Sequence, residues 1–239
     1  MIHRFDVVSS TQDLAHALAG RGAPAGSAVV AREQVAGRGT RGRDWASGAG
    51  GLWVSVVLRP PARTAEGLSV RVGIELAEAL SAVVAPEQVS VKWPNDLVAR
   101  DRKLAGVLVE ARWGGPQPSW VVVGVGLNVA NQLPDALRAA AVRLVDLDPG
   151  ATVDAIEPVV IAAIERAGAG PGGAFSDAEL DRFARRDWLK GRRIATPIEG
   201  TVLGLSPDGR LLVADRDGRT QALSNPVTVV GLAAIAEGA

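Results

Sequence analysis

The chain has 239 residues, of which 47% are hydrophobic and 22% charged, as expected of a globular protein with one full-sized domain and a smaller second one. Lysine plus arginine and aspartate plus glutamate both total 26, so the zero net charge argues against a global attraction to DNA or to membranes. The absence of cysteine rules out disulfides and thiolate chemistry and fits a cytoplasmic protein, while two histidines and no tyrosine leave acid–base chemistry to other residue types.

The first part of the chain predicts a mixture of strands and helices. The opening segment MIHRFDVVSS lacks the apolar core of a signal peptide, so export is not expected. Ser10 and Thr11 precede an apolar repeat that predicts a hydroxyl-capped helix ending at Gly20. Two strands and a long helix are then predicted, over residues 27–33, 51–60 and 65–84.

The middle of the chain predicts a hairpin and two further helices. Residues 89–113 form two apolar arms around the polar tip ARDR. The apolar strand predicted over residues 120–129 is far shorter than the ~20 residues of a membrane-spanning helix, so no membrane insertion is expected. Helices are predicted near residues 152–167 and 176–189, joined by a Gly/Ala-rich linker.

The C-terminal segment has a different character. From Gly191 onward, short apolar segments alternate with turns such as Pro207-Asp208-Gly209, which predicts a small antiparallel barrel. We therefore predict two domains, a larger α+β domain over residues 1–190 and a barrel over residues 191–239.

The stretch GRGTRGRDW, residues 37–45, has glycines at the G-x-G-x-x-G spacing of dinucleotide-binding loops. A dinucleotide fold is nevertheless not predicted, because no helix follows and no acidic residue occurs between Asp44 and Glu66. Glycines interleaved with arginines instead indicate a loop that binds an anion through backbone N–H groups and guanidinium groups. The alternative is a flexible surface loop with solvated arginines.

Five short motifs occur in an order and spacing that resemble one family. They are SST at 9–11, EQVAGRGTRGRDW at 33–45, KWPNDL at 92–97, RKLAGVLVE at 102–110 and GVGLN at 124–128. Together they resemble biotin protein ligases, which join biotin to a carrier-protein lysine through biotinyl-AMP. The resemblance covers nearly the whole chain. It implies an α+β fold with a mixed β-sheet and flanking helices, similar to class II aminoacyl-tRNA synthetases, followed by an SH3-like β-barrel.

The resemblance also implies which residues bind biotin. Ser10, Thr11 and Gln34 match the positions that bind the ureido ring, which needs matched polar partners in an apolar pocket. Helix capping is the alternative role of the two hydroxyl residues. Glycines at several motif positions would let the ligand approach the backbone closely, namely Gly37, Gly106, Gly124 and Gly126.

Positive charge is needed where a carboxylate attacks a phosphate, since two anions repel each other. Arg38 and Lys103 match the family residues for this role, facing the biotin carboxylate and the ATP α-phosphate. The resemblance places Arg43 near the phosphates, and Trp45 and Asn128 against the adenine. The other strand tryptophans are expected in the core, namely Trp53, Trp113 and Trp120.

Asn95 and Asp96 follow Pro94 in the KWPND motif, and the resemblance implies that they lie beside the phosphates and a Mg²⁺ ion. Asp96 could bind the metal and could also accept the proton of the substrate lysine. Ordinary turn chemistry is the alternative interpretation of this Asn–Asp pair.

One position departs from the family pattern. Thr40 stands where many relatives have arginine, which puts in doubt how firmly the adenylate is retained. Arg41 is adjacent, but neighbours in an extended loop face opposite ways, so a substitution by Arg41 is not assured. The loop 37–48 has little apolar anchoring apart from Trp45, so we expect it to be mobile without ligand.

The sequence therefore predicts an ATP-dependent ligase that uses biotin, ATP and Mg²⁺ and acts on the biotin carboxyl carrier domain of a carboxylase. The motifs begin directly after Met1, so a DNA-binding helix-turn-helix is not expected. Two alternatives stay open, a lipoate ligase and a non-catalytic biotin- or nucleotide-binding regulator. Whether the protein is a monomer or a homodimer is also open.

Overall fold

The structure is a computed structural model that describes residues 1–59, 65–84, 89–115 and 118–230. A seven-stranded sheet forms its centre, in the order β1-β2-β3-β7-β6-β5-β4. Strands β1 and β2 are parallel and all other neighbours are antiparallel, so the sheet is mixed. Its strands are β1 (Ile2–Val8), β2 (Ala28–Gln34), β3 (Leu52–Leu58), β4 (Ser90–Lys92), β5 (Asp96–Ala99), β6 (Arg102–Trp113) and β7 (Pro118–Leu127).

Four α-helices flank the sheets in the described part of the chain: α1 (Thr11–Gly20), α2 (Leu68–Val83), α3 (Val153–Gly168) and α4 (Asp177–Ala184). Helix α1 packs on one face of the large sheet, where Ala15 and Ala19 meet Val57 and Val122. Helices α2 and α3 cover the other face and share a large apolar core with it. The predicted α+β fold with flanking helices is thus confirmed.

Strand β3 shows why the two faces differ. Its even-numbered residues, Leu52, Val54, Val56 and Leu58, belong to the core under α2 and α3. Because side chains alternate along a strand, Ser55 and Val57 point to the face that carries α1. Ser55 bonds there to residues of α1, and this polar break in an apolar strand lies at the functional cavity.

Three local expectations are corrected. Strand β1 was not expected, because an edge strand that is mostly exposed carries a weak hydrophobic signal. The predicted hairpin is a three-stranded meander, with β4 and β5 joined through the KWPND turn. Helix α4 ends at Ala184 because the following segment pairs with β4, where Val91 bonds Arg186 and Trp188.

Ser10 occupies the N-cap position of α1, but its side chain makes no capping hydrogen bond. The hydroxyl cap that the sequence predicted is therefore wrong for this helix. Thr152 and Ser176 do cap α3 and α4, each accepting a backbone N–H. The hydroxyl groups of the SST motif are thus left for other contacts.

The C-terminal segment forms a second, five-stranded antiparallel sheet in the order β11-β10-β9-β8-β12. Its strands are β8 (Arg193–Thr196), β9 (Gly200–Leu205), β10 (Leu211–Asp215), β11 (Thr220–Leu223) and β12 (Thr228–Val229). The edge strands β11 and β12 do not pair with each other within residues 191–230, so the sheet is open there rather than a closed barrel. In the described ranges, no helix is long and apolar enough to cross a membrane.

The two sheets pack on each other through buried aromatic residues. Trp93 donates its indole N–H to Gly209 O at 3.1 Å. Phe175 lies against Gly67 and Gly209, and its backbone N–H bonds Pro207 O at 2.7 Å. Apolar residues of the small sheet belong to the same core cluster as the large one.

Candidate functional site

A cavity that is open to solvent lies on the α1 face of the large sheet and brings residues of all five sequence motifs together. Its lining consists of Ser10, Thr11, Gln12, Gln34, Arg38, Gly39, Thr40, Arg43, Asp44, Trp45, Val54, Ser55, Asn95, Asp96, Lys103, Gly106, Val107, Leu108, Gly124, Val125 and Gly126. Segments far apart in the chain meet because strands β6 and β7 lie between β3 and β5. The motifs thus form one site.

Two of the predicted site residues do not line this cavity. Gly37 is the first residue of the loop and packs against the end of it. A Cβ added to Gly37 would come within 2.3 Å of Ser47 Oγ and 2.6 Å of Trp45 O. Asn128 is buried just after β7, and its side-chain oxygen accepts a hydrogen bond from Asn131 Nδ2 at 3.1 Å. The adenine contact of Asn128 remains a prediction.

A buried row of polar atoms forms one end of the cavity. Gln34 Oε1 accepts the Thr11 backbone N–H at 2.8 Å and the Thr11 hydroxyl at 3.0 Å. The Thr11 hydroxyl is 2.9 Å from Ser55 Oγ, which donates to Gln12 Oε1 at 3.0 Å. Gln12 Nε2 donates to Val122 O, which fixes the orientation of that amide.

This row has fewer hydrogen atoms than contacts. Two amide oxygens, Gln34 Oε1 and Gln12 Oε1, terminate it, and both can only accept. The hydroxyls of Thr11 and Ser55 supply two hydrogens for three contacts, so one contact always lacks a hydrogen. The row therefore has spare acceptor capacity and suits a neutral ligand that presents N–H donors.

The sequence did not identify two residues of this polar row, Gln12 and Ser55. Both are buried, with 3% and 1% of their surface exposed. Ser55 carried a usable signal, since it is the one polar residue in the buried strand LWVSVVL. Gln12 lies beside the resembling SST motif but outside it, so only its burial identifies it.

Lys103 also lines the cavity and is 6% exposed. Its ammonium is 3.1 Å from Asp96 Oδ1 and 4.8 Å from the centre of the Trp45 ring. The Trp45 indole N–H is buried without a hydrogen-bond partner among the described residues. A buried cation, a carboxylate and an aromatic face thus meet at one place.

The strand glycines make room for protein side chains in this structure. A Cβ on Gly106 or Gly126 would come within 2.8 Å and 2.6 Å of the Trp45 ring. A Cβ on Gly124 would be 2.6 Å from Gln12 Oε1. These positions admit Trp45 and Gln12 into the cavity wall, a reason for glycine besides ligand approach.

Arg38 reaches the cavity from the glycine-rich loop and is held by acidic side chains. Its Nη2 is 2.5 Å from Asp13 Oδ1 and 3.6 Å from Glu110 Oε2. Arg43 Nε donates to Thr40 O at 3.4 Å and lines the same wall. The cavity therefore has a polar neutral end and a cationic side.

The loop is not extended at the position that departs from the family pattern. Residues 40–42 form a short 3₁₀ turn, in which Arg41 has φ 63° and is exposed. Thr40 lines the cavity and Arg41 does not. Arg41 is thus outside the cavity lining, and a turn rather than an extended loop connects it to Thr40.

Not all three strand tryptophans are buried as predicted. Trp53 is 1% exposed and belongs to the core as expected. Trp113 is 61% exposed, so its predicted burial is wrong, because the last residues of β6 are exposed although the strand begins in the core. Trp120 is half-buried and donates its indole N–H to His16 Nδ1 at 3.0 Å.

Comparisons with known proteins identify the family of the chain. A model of the biotin/lipoate A/B protein ligase family matches residues 4–128. The biotin–[acetyl-CoA-carboxylase] ligase of Paracoccus denitrificans is 34% identical over 210 residues, which cover 80% of this chain and 85% of that protein. The bifunctional ligase/repressor BirA of Bacillus spizizenii is 39% identical over 145 residues, but the match spans only 44% of its length.

The fold is also found in a solved structure, the biotin protein ligase from Aquifex aeolicus in complex with biotin and ATP. It superposes with a TM-score of 0.80 over 95% of this chain and 97% of that chain, at 24% identity. The family model covers more than half of the present chain, and the Paracoccus relative matches it over most of both lengths. The chain therefore belongs to the biotin/lipoate A/B protein ligase family.

Proposed function

We propose that this chain is a biotin protein ligase, which forms biotinyl-AMP from biotin and ATP and then transfers biotin to a lysine of a biotin carboxyl carrier domain. The observation that carries the proposal is the cavity itself, which combines an acceptor-rich neutral end with a cationic side. Biotin has the complementary shape, with a ureido ring at one end and a carboxylate at the other. The name of the Paracoccus relative supports the same substrate.

The acceptor-rich end would bind the ureido ring. Its two N–H groups could donate to the spare acceptor lone pairs of the row formed by Gln34, Thr11, Ser55 and Gln12. Ser10 lines the same end with a hydroxyl that does not cap the helix. A cyclic disulfide such as that of lipoate offers no N–H donor, so this end favours biotin over the lipoate alternative.

In the first step, a biotin carboxylate oxygen attacks the α-phosphorus of ATP, and the bond to the leaving pyrophosphate breaks. Lys103 and Arg38 would neutralise the carboxylate and the charge that develops on the α-phosphate, with Arg43 toward the leaving phosphates. Lys103 keeps further N–H donors beside its contact with Asp96, so it can hold both groups.

In the second step, the carrier lysine nitrogen attacks the acyl carbon of biotinyl-AMP and AMP leaves with the electrons of the broken C–O bond. The lysine must first lose a proton, and Asp96 is the carboxylate best placed to accept it. Asp96 and Asn95 also offer oxygen ligands that fit a Mg²⁺ ion carried largely by ATP phosphates and water. When bound, this ion would neutralise phosphate charge.

The remaining features follow from this proposal. Trp45 would pack on the adenine, with Asn128 behind it. We interpret residues 1–190 as the catalytic domain and residues 191–239 as a smaller SH3-like domain. Because the reaction consumes ATP, we place it in the cytoplasm. We take the carrier domain of a biotin-dependent carboxylase as the partner and expect no DNA partner.

Biotin-dependent exchange of labelled pyrophosphate into ATP tests the proposal. Exchange with biotin and none with lipoate is the expected result. Exchange with lipoate alone would identify a lipoate ligase, and binding of biotin without exchange would identify a regulator. A mere sensor has no need for Arg38, Asp96 and Lys103 around one cavity, which is why catalysis is preferred.

A further inference from the structure

A row of side chains leads from strand β7 to Arg38 and lies outside the cavity lining. Trp120 Nε1 donates to His16 Nδ1 at 3.0 Å, and His16 Nε2 is 3.1 Å from Glu110 Oε2. The same Glu110 oxygen is 3.6 Å from Arg38 Nη2, and Asp13 Oδ1 is 2.5 Å from that nitrogen. Two carboxylates thus hold one amino group of Arg38.

The direction of these hydrogen bonds is fixed by chemistry. An indole N–H can only donate, so His16 Nδ1 must accept and the neutral ring carries its hydrogen on Nε2. Burial lowers the pKa of His16, and the nearby charge of Arg112 lowers it further, which favours this neutral form. His16 Nε2–H therefore donates to Glu110 and restricts the orientation of its carboxylate.

The anchoring groups are more rigid than the group they hold. Asp13 and His16 lie one turn apart on α1, Glu110 lies on β6 and Trp120 on β7, whereas Arg38 belongs to a loop. Side-chain exposure rises along the row, from 9% for His16 to 26% for Glu110 and 38% for Arg38, whereas Asp13 is 57% exposed and is held by its helix alone. Order is thus transmitted from packed elements to the loop.

The contacts with the two carboxylates leave the Nη1 and Nε groups of Arg38 available to a ligand. Both acids approach Arg38 at Nη2, and no hydrogen bond of Nη1 or Nε is found among the described residues. A guanidinium can bind a carboxylate or phosphate through two of its N–H groups at once. Holding Nη2 therefore orients the remaining N–H groups toward an anion in the cavity.

We propose that Glu110 and Asp13, supported by His16 and Trp120, are positioning residues that orient Arg38 toward the carboxylate of the bound ligand. The proposal rests on the proposed function, since it takes biotin as that ligand. None of these four residues lines the cavity, so the proposal requires that their effect on the ligand passes through Arg38.

A double-mutant cycle on biotin affinity tests the proposal in the full chain. Calorimetry measures the Kd for biotin in the wild type, Glu110→Gln, Arg38→Ala and the double variant. Glu110→Gln keeps an acceptor for His16 but removes the charge at Arg38, and we expect it to weaken binding about tenfold. In the Arg38→Ala background the same change should alter the Kd by less than about twofold.

Trp120→Phe extends the test to the far end of the row, because it keeps a ring but deletes the N–H that fixes His16. We expect it to weaken biotin binding about threefold, again only when Arg38 is present. The matched control is Trp113→Phe, which changes an exposed tryptophan near the same hairpin and should leave the Kd unchanged.

The outcomes separate this proposal from the proposed function. Equal losses with and without Arg38 would show that Glu110 has only a structural role and would overturn the positioning role. Tighter biotin binding by Glu110→Gln would also overturn it, since the acids would then compete with the ligand for Arg38. If the wild type binds biotin but gives no pyrophosphate exchange, the catalytic proposal fails, and the double-mutant cycle still tests the positioning role. If the wild type binds no biotin, both the proposed function and the positioning role are overturned.

Discussion

The proposed adenylation depends more on the charge of Lys103 than on that of any other single residue. It lies at the start of β6, with its ammonium buried between Asp96 and Trp45. Lys103→Gln keeps hydrogen-bonding capacity toward Asp96 but removes the charge. We expect it to slow biotinyl-AMP formation by about 10²–10³-fold, the usual cost of losing one preorganised stabilising group.

Rapid-quench measurement of adenylate formation checks this prediction, and Arg102→Gln is its control. Arg102 is the preceding residue, and it lines a different pocket, together with Arg138 and Arg143. Wild-type rates in both variants would mean that Lys103 takes no part in the reaction. The residue-scale interpretation of β6 would then be wrong.

Asp187 provides a second residue-scale prediction, which concerns stability. Burial raises the pKa of its carboxyl from the ordinary 3.8 to about 6. One oxygen accepts the Leu189 N–H at 2.9 Å, and the other is buried without a partner among the described residues. Because the folded pKa is the higher one, the stability contribution is complete below pH 3.8 and is lost as the pH rises through about 6.

Asp187→Asn should therefore stabilise the protein at neutral pH, by about 2–3 kcal/mol for a pKa difference of this size. The gain should shrink toward about pH 4, where the wild-type carboxyl is already protonated in the folded state. Urea unfolding at several pH values measures it, with the exposed Asp181→Asn as control. A gain that is the same at every pH would contradict the assignment.

At the scale of elements, the glycine-rich loop is the segment on which the proposed chemistry depends. We predict that residues 37–48 become ordered around biotin and ATP, because the loop contributes Trp45 but few other apolar contacts. Trypsin cleavage after the exposed Arg41 should slow when both ligands are added. Cleavage after Arg21, also exposed but outside the site, should not change, and equal rates at Arg41 would refute the prediction.

The turn within this loop carries a separate prediction. Thr40 lines the cavity with a hydroxyl group, so a bound adenylate would receive no charge-assisted hydrogen bond from this position. We expect Thr40→Arg to release free biotinyl-AMP more slowly than the wild type, in single-turnover measurements of labelled adenylate without carrier. Arg41→Ala, which changes a side chain outside the cavity, should leave release unchanged, and a Thr40→Arg variant that releases at the wild-type rate would refute the idea.

The element scale also shows what could be predicted from sequence. Helices α2 and α3 were predictable because their buried residues repeat at helical spacing, and strands β2, β3 and β7 because each contains a short, nearly continuous apolar run. Strand β1 and the early end of α4 were not, since an exposed edge strand and a segment that pairs with β4 carry little periodicity. Sequence motifs predicted Lys103 and Gln34, but Gln12 and Glu110 act through long-range contacts that a local pattern does not contain.

At the scale of the whole molecule, the large and small sheets share one apolar core, and Phe175 lies at their junction. It is 5% exposed, its ring contacts Gly67 and Gly209, and the guanidinium of the buried Arg71 lies 4.1 Å from the ring centre. Arg71 in turn bonds Glu179 and the Gly173 carbonyl, which ties α2 to α4. Loss of this ring should therefore weaken both sheets together.

We expect Phe175→Ala to lower the free energy of unfolding by about 3–5 kcal/mol, the usual cost of removing a buried phenylalanine ring. Hydrogen exchange should show the same loss of protection in β3 of the large sheet and β10 of the small one. Phe5→Ala, at a ring that is 41% exposed, is the control and should cost much less. Loss of protection in β10 alone would mean that the small sheet unfolds independently of the large one, because a shared core requires the two sheets to open together.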